Sequence, residues 1–204
     1  MITLDGVIGH GTPLRRVSMS LGHEVVGLRG PNGSGKTTLL RSLAGLMPLV
    51  EGSIVIDGLV VDDGRVFVQP ERRQVRYVDR DPFPGQSFAE FLGFPLRCAG
   101  LNKAEREALV IGAIHDFSLI DIASKNVSAL SQGQLARATI ARGCIGRPRA
   151  ILLDEPFRGI DDLHKLRMID ALRKRLRNEG VSALVVSHDE SDLAALCDRV
   201  VEFD

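Results

Sequence analysis

Residues 30–38 read GPNGSGKTT, preceded by the apolar run EVVGL (24–28) and followed by a helix-compatible stretch from Lys36 to about Ala44. The pattern GxxxxGK[ST] between a strand and a helix is a phosphate-binding loop. Gly30, Asn32, Gly33, Ser34 and Gly35 supply backbone N–H groups that turn inward around phosphate oxygens, and the helix directs its positive end at the same anion. Lys36 is then the residue that reaches the β- and γ-phosphates, Thr37 is the hydroxyl ligand of Mg²⁺, and Thr38 follows beside the nucleotide. Working outward, apolar runs at 150–153 and 183–187 are each followed by helix-like sequence, so the chain reads as α/β with a mostly parallel sheet. Residues 2–8 and 52–68 are rich in Val, Ile, Gly and Asp. They predict antiparallel strands with tight turns at Asp57-Gly58 and Asp63-Gly64.

A second signal lies at 150–156, AILLDEP, where a strand delivers two carboxylates at its C-terminal end, the edge at which open α/β sheets bind ligands. Asp154 fits a Mg²⁺-associated carboxylate, and Glu155 fits the group that orients or deprotonates an attacking water. Residues 86–128 hold no convincing strand but carry helical patterns at 87–92 and 103–117, which predicts a helical insert of about 86–145 within one domain spanning 1–204. Leu163, Leu166, Ile169, Leu172 and Leu176 repeat at helical spacing, leaving the charged residues of 161–179 as a solvated face.

Composition excludes several classes. Apolar residues make up 44% and charged residues 25%, and 26 basic residues balance 26 acidic ones. That balance gives no general field for nucleic acid, so no nucleic-acid partner is expected. No apolar run is long enough to cross a bilayer, and the N-terminus lacks a signal-peptide pattern, so a cytoplasmic location is expected. Three widely spaced cysteines and five scattered histidines suggest neither a disulfide framework nor a metal cluster.

Residues 130–134, LSQGQ, followed by a helix-like run into the Asp154 strand, resemble the LSGGQ signature of ATP-binding-cassette (ABC) ATPases. The order of phosphate loop, helical insert, signature, DE strand and final histidine is similar to that family along essentially the whole chain. The resemblance implies a head-to-tail dimer, of two copies or of this chain with a similar one, in which each ATP lies between the phosphate loop of one subunit and the signature of the other. Ser131, Gly133 and the helix starting near Gln134 would then face the γ-phosphate. His188, in LVVSHDE, matches the switch histidine, and Asp161, in FRGIDD, matches the aspartate that closes the loop contacting the opposite subunit.

The sequence departs from the family pattern at four places. Gln132 replaces a signature glycine, and Phe157, Arg158 and Gly159 replace small or polar residues. Arg80 stands where a Mg²⁺-sensing glutamine is usual, leaving Asp79 or Asp81 as substitute acceptors. His10 stands where an aromatic residue stacks on adenine, which opens the site to GTP as well. Residues 68–78, VQPERRQVRYV, resemble a segment of importer ATPases for molybdate, iron, polyamines and thiamine. The implied protein is the ATP-hydrolysing subunit of an importer, peripheral on the inner face of the membrane, with ATP and Mg²⁺ as cofactors and a permease docked near 80–94. There Phe83, Phe88, Phe91, Phe94 and Leu96 predict an exposed apolar cluster. The chain stops at Asp204, as a minimal cassette would. The alternatives are a non-transport ABC ATPase and an ATP-binding switch with weak hydrolysis.

Overall fold

The computed structural model describes residues 1–9, 13–79, 87–97 and 99–203. His10, Arg80, Asp81, Phe83 and Cys98 lie outside the described residues. The chain runs β1 (Ile2–Ile8), β2 (Arg15–Leu21), β3 (Val25–Arg29), α1 (Lys36–Ala44), β4 (Glu51–Ile56), β5 (Leu59–Asp62), α2 (Pro70–Arg73), β6 (Val75–Val78) and α3 (Phe88–Gly93). It continues through α4 (Lys103–Asp116), α5 (Gln132–Cys144), β7 (Ala150–Asp154), α6 (Asp162–Glu179), β8 (Ser182–Val186), α7 (Glu190–Leu196) and β9 (Arg199–Glu202). One sheet is parallel throughout, in the order β6-β7-β8-β3-β9, and the other is antiparallel, in the order β2-β1-β4-β5. The fold is thus an α/β phosphate-loop core with an antiparallel N-terminal layer and a run of helices inserted before β7.

The apolar runs form parallel strands because both faces of the sheet are covered. Along β7, Ala150 and Leu152 join α1 and the antiparallel sheet in one core, while Ile151 and Leu153 join the inserted helices and α6 in another. In β8, Leu184 and Val186 face the first core, and Ala183 and Val185 face the second. The inserted helices therefore share a core with the sheet. In the antiparallel layer the Asp57-Gly58 pair turns with positive φ at both residues (48° and 79°), joining β4 to β5. Asp63 accepts from the amides of Arg65 and Val66 at 2.9 and 2.7 Å, which holds the next turn.

Among the described residues three helices begin with reciprocal capping boxes, Ser87 with Glu90, Asn102 with Glu105, and Ser131 with Gln134. The third corrects a boundary: the signature helix starts at Gln132, two residues before the expected Gln134.

Two apolar patterns are also corrected. Phe88, Phe91 and Leu96 are buried in the core of the inserted helices, and of the expected exposed cluster only Phe94 is surface-exposed among the described residues. Leu163 and Leu166 are 58% and 64% exposed, and burial along α6 starts at Met168. The first turns of α6 are tied instead to the loop after β8, through Lys165. Among the described residues no helix is long and apolar enough to cross a membrane.

Candidate functional site

At the C-terminal ends of β3, β7 and β8 the phosphate loop, the DE pair and His188 converge. Asn32, Gly33, Gly35, Lys36, Thr37 and Thr38 line a cleft of about 210 Å³, opposite Asp154, Glu155, Val186 and His188. Gly33 and Gly35 have φ of 78° and 99°, a backbone region that glycine enters at least cost, and Gly35 is the N-cap of α1. Gly30 is required by proximity: a Cβ there would lie 2.1 Å from the Phe203 carbonyl oxygen. Ser34 is buried beneath the loop.

The Lys36 ammonium lies inside the loop and donates to the carbonyls of Gly30 (2.7 Å) and Pro31 (2.8 Å), with the Ser34 hydroxyl at 3.4 Å. Burial lowers its pKa, and the charges of Glu155 and Asp154 oppose that shift. The cation is therefore withdrawn from water and held by the loop's own carbonyls.

Thr37 Oγ1 donates to Asp154 Oδ2 at 2.8 Å. This brings a hydroxyl and a carboxylate, both hard oxygen donors, to one point. Among the described residues no group of three or more His, Cys, Asp and Glu side chains converges on a metal position. That donor set suits Mg²⁺, which keeps much of its water and takes one or two protein oxygens beside phosphate. Tyr77 completes the arrangement: its hydroxyl donates to the same Asp154 oxygen at 3.0 Å. Burial, then the Asp154 carboxylate, pushes the phenol up to about 12, so it stays a neutral donor that orients Asp154. Sequence reasoning missed this residue. The available signal was the chain's one tyrosine, in the apolar segment 75–78 before the helical insert.

Glu155 has φ of 50°, an uncommon conformation for a non-glycine residue, costing about 1 kcal/mol or more. Its amide donates to the Val186 carbonyl at 2.9 Å, fixing the turn after β7 to the end of β8. The turn sets Glu155 Oε1 3.4 Å from His188 Nε2. A carboxylate and an imidazole side by side at the cleft can hold and move a proton from a water.

Ser131, Gly133, Gln134 and Asp161 do not line this cleft. Ser131 Oγ accepts from the Gln134 amide at 3.3 Å, and the Gln134 side chain accepts from the Ser131 amide at 3.2 Å. Gln134 is thus committed to capping α5. Ser131 retains its hydroxyl proton for donation. Gln132 occupies the first turn of the helix, where a side chain is accommodated without strain. Gly133 has a reason beyond an open N–H: a Cβ there would lie 2.5 Å from the Gly159 carbonyl oxygen, so the signature packs directly on the loop after β7. In that loop Phe157 is buried, which accounts for an apolar residue where a small one was expected. Asp161 caps α6, accepting from the His164 amide at 3.2 Å and meeting the His164 ring at 2.7 Å. The charge of Asp79 acts on Arg142, whose guanidinium lies 4.3 Å over the Phe91 ring.

A phosphate loop after β3, facing paired carboxylates at the end of β7 with β8 between the two strands, defines a phosphate-loop nucleotide-binding domain. The ABC transporter family model matches residues 14–158. The chain is 38% identical over 181 residues to an Fe(3+) ions import ATP-binding protein of Streptomyces avermitilis, covering 88% of this chain and 51% of that one. It is 36% identical over 195 residues to a spermidine/putrescine import ATP-binding protein of Pseudomonas aeruginosa, covering 94% of this chain and 53% of that one. The chain spans about half the length of these curated relatives. Among solved structures, it superposes with a TM-score of 0.84 and 26% identity on an ATP-binding subunit of an ABC transporter, covering 99% of this chain and 85% of that one. A dimeric ATP-binding cassette bound to ADP and phosphate gives a TM-score of 0.85 at 24% identity, covering 100% of this chain and 94% of that one. The chain belongs to the ABC transporter family.

Proposed function

We propose that this chain is the ATP-binding and hydrolysing subunit of an importer, working as a head-to-tail dimer. The observation that carries the reading is the division of the site. Phosphate loop, Asp154, Glu155 and His188 share one cleft, whereas Ser131 and Gly133 lie outside it. A second subunit facing the cleft would supply the missing signature end, with the α5 N-terminus aimed at the γ-phosphate. Lys36 would exchange the Gly30 and Pro31 carbonyls for β- and γ-phosphate oxygens, and Asn32, Ser34 and Thr38 belong to the same cradle. Thr37 and Asp154 would hold Mg²⁺, which neutralises phosphate charge when bound. Glu155 accepts the proton of the attacking water, and His188 orients that water and the γ-phosphate. Asp161 would meet the second subunit, and His10 the base.

Import is supported by the relatives, which are import ATP-binding proteins. A separate membrane permease is the partner this reading requires, which would hold the chain peripherally on the cytoplasmic face. The groove between α3 and α4 is lined by Ala89, Gly93, Val110, Ile111 and Ile114 together with the charged Glu90, Arg97, Lys103, Arg106 and Glu107, a mixture that suits a short amphipathic helix from that partner. The purified chain is expected to hydrolyse Mg-ATP at a rate per molecule that rises with its own concentration. A steady-state assay over a wide dilution series checks this, and a rate per molecule independent of concentration would contradict the dimer.

A further inference from the structure

Next to the nucleotide cleft lies a second one, of about 650 Å³, between the loop after β7 and the loop after β8. Glu155 and His188 stand at its edge, and Lys165 is within it. Lys165 projects from the first turn of α6 and bridges two carboxylates: its Nζ donates to Asp189 Oδ2 at 3.0 Å and forms an ion pair with Asp192 Oδ1 at 2.9 Å. Asp192 is buried. Its other oxygen accepts from the Ser187 hydroxyl at 3.4 Å, and Ser187 Oγ in turn accepts from the Asp189 amide at 3.1 Å. Both neighbours of His188 are therefore held by groups that converge on one lysine.

Asp189 also caps α7, accepting from the Ser191 amide at 2.9 Å. The same α6 turn begins at Asp161, at the end of the loop that packs on Gly133 of the signature. A continuous path of hydrogen bonds and packing thus runs from the signature through the start of α6 to the backbone on either side of His188.

Given the hydrolytic reading above, we infer that Lys165 is a positioning residue that sets His188 against Glu155 and ties that setting to the loop before α6. It does not line the nucleotide cleft. Its contacts with Asp189 and Asp192 decide whether the imidazole stands at the productive distance, and misplacement of a reacting group by about 1 Å costs up to a hundredfold in rate. Lys165 and Asp189 stay charged throughout the working pH range. The carboxylates of Asp192 and Asp189 hold the lysine up at about 12, and the Ser191 hydroxyl, then Lys165, hold Asp189 down at about 2. The Lys165 contribution is lost only as pH rises through that value, and the Asp189 contribution only as pH falls through its own.

The test compares Lys165→Met, Lys165→Arg and Asp189→Asn with the unaltered chain, alone and in a His188→Ala background. Asp189→Asn keeps the α7 cap but loses the charge. Lys165→Met is expected to lower kcat by roughly ten- to a hundredfold with KM for ATP within about twofold, and Lys165→Arg to recover most of the rate. In the His188→Ala background Lys165→Met should add nothing further, because its effect passes through His188. Amide hydrogen exchange at residues 187–189 should accelerate in Lys165→Met and Asp189→Asn and not in Lys165→Arg, a readout independent of turnover. An equal loss with and without His188, or unchanged exchange at 187–189, overturns the inference. An unaltered chain that fails to hydrolyse ATP overturns the functional reading instead, while the exchange experiment still tests the clamp.

Discussion

Glu155→Gln is expected to lower the rate of ATP hydrolysis by about 10²–10⁴-fold while leaving ATP bound, the usual worth of a general base. The backbone that aims this residue does not depend on its charge. The positive φ and the amide bond to Val186 are main-chain features, so an amide side chain of the same shape occupies the same place. Glutamine cannot take a proton from water. It also removes one negative charge near Lys36, and with it repulsion toward the γ-phosphate. Affinity for Mg-ATP should therefore be retained or increased, and kcat should fall with little change in KM. Single-turnover kinetics with equilibrium binding of ATP check both halves. Retained turnover in this variant would remove Glu155 from the chemistry.

Arg73→Met is expected to destabilise the fold by about 3–5 kcal/mol, the cost of removing one partner of a buried charge pair. The guanidinium is buried and donates to four carbonyls: Val68 (2.8 Å), Ser42 (2.8 Å), Leu43 (3.2 Å) and Val61 (3.2 Å). Asp62, also buried, lies 4.0 Å away, and the Phe67 ring is 5.0 Å from the guanidinium carbon. Ser42 and Leu43 are in the last turn of α1, whose carbonyls have no partner within the helix. Arg73 thus caps the far end of the helix that begins at the phosphate loop, and methionine would remove these four bonds and the cation that faces buried Asp62. For a chain of this size the melting temperature should drop by roughly 10 °C. Lysine should rescue little, because one ammonium cannot reproduce the planar fork. Thermal unfolding followed by circular dichroism measures the loss, and a variant that melts within about 2 °C of the unaltered chain would refute this role.

How much of this was legible beforehand depended on whether the chemistry was local. GPNGSGKTT and AILLDEP announce themselves because a phosphate loop and a strand-end carboxylate pair need their residues side by side in the chain. The long apolar runs of β7 and β8 were legible for a similar reason, since both faces are covered. Tyr77, Arg73 and Lys165 were not, because each acts on residues 24 or more positions away, or on several short segments at once, and nothing in the neighbouring sequence marks the partner. The PERR stretch that resembled importer ATPases contains the Arg73 that caps α1. Phenylalanine density misled in the opposite direction. Helices α3 to α5 must bury their apolar faces, and Phe88, Phe91 and Leu96 do so in the core they share with the sheet and α6. In α6 the spacing was right, but helical periodicity cannot say where along a helix the neighbouring layer ends.

The central claim, that each site is built from two subunits, is tested most directly by mixing two inactive variants. Lys36→Ala removes the cation of the phosphate loop and leaves the signature intact. Ser131→Glu sets a negative charge against the γ-phosphate at the signature, where the α5 N-terminus tolerates an acid, and leaves the phosphate loop intact. Neither chain alone should hydrolyse Mg-ATP appreciably, because in a symmetric dimer every site carries the defect. Mixed, they should regain activity, since the mixed dimer pairs one sound phosphate loop with one sound signature. A mixture as inactive as its components, with both variants folded and mixed dimers demonstrated by size, would contradict the account.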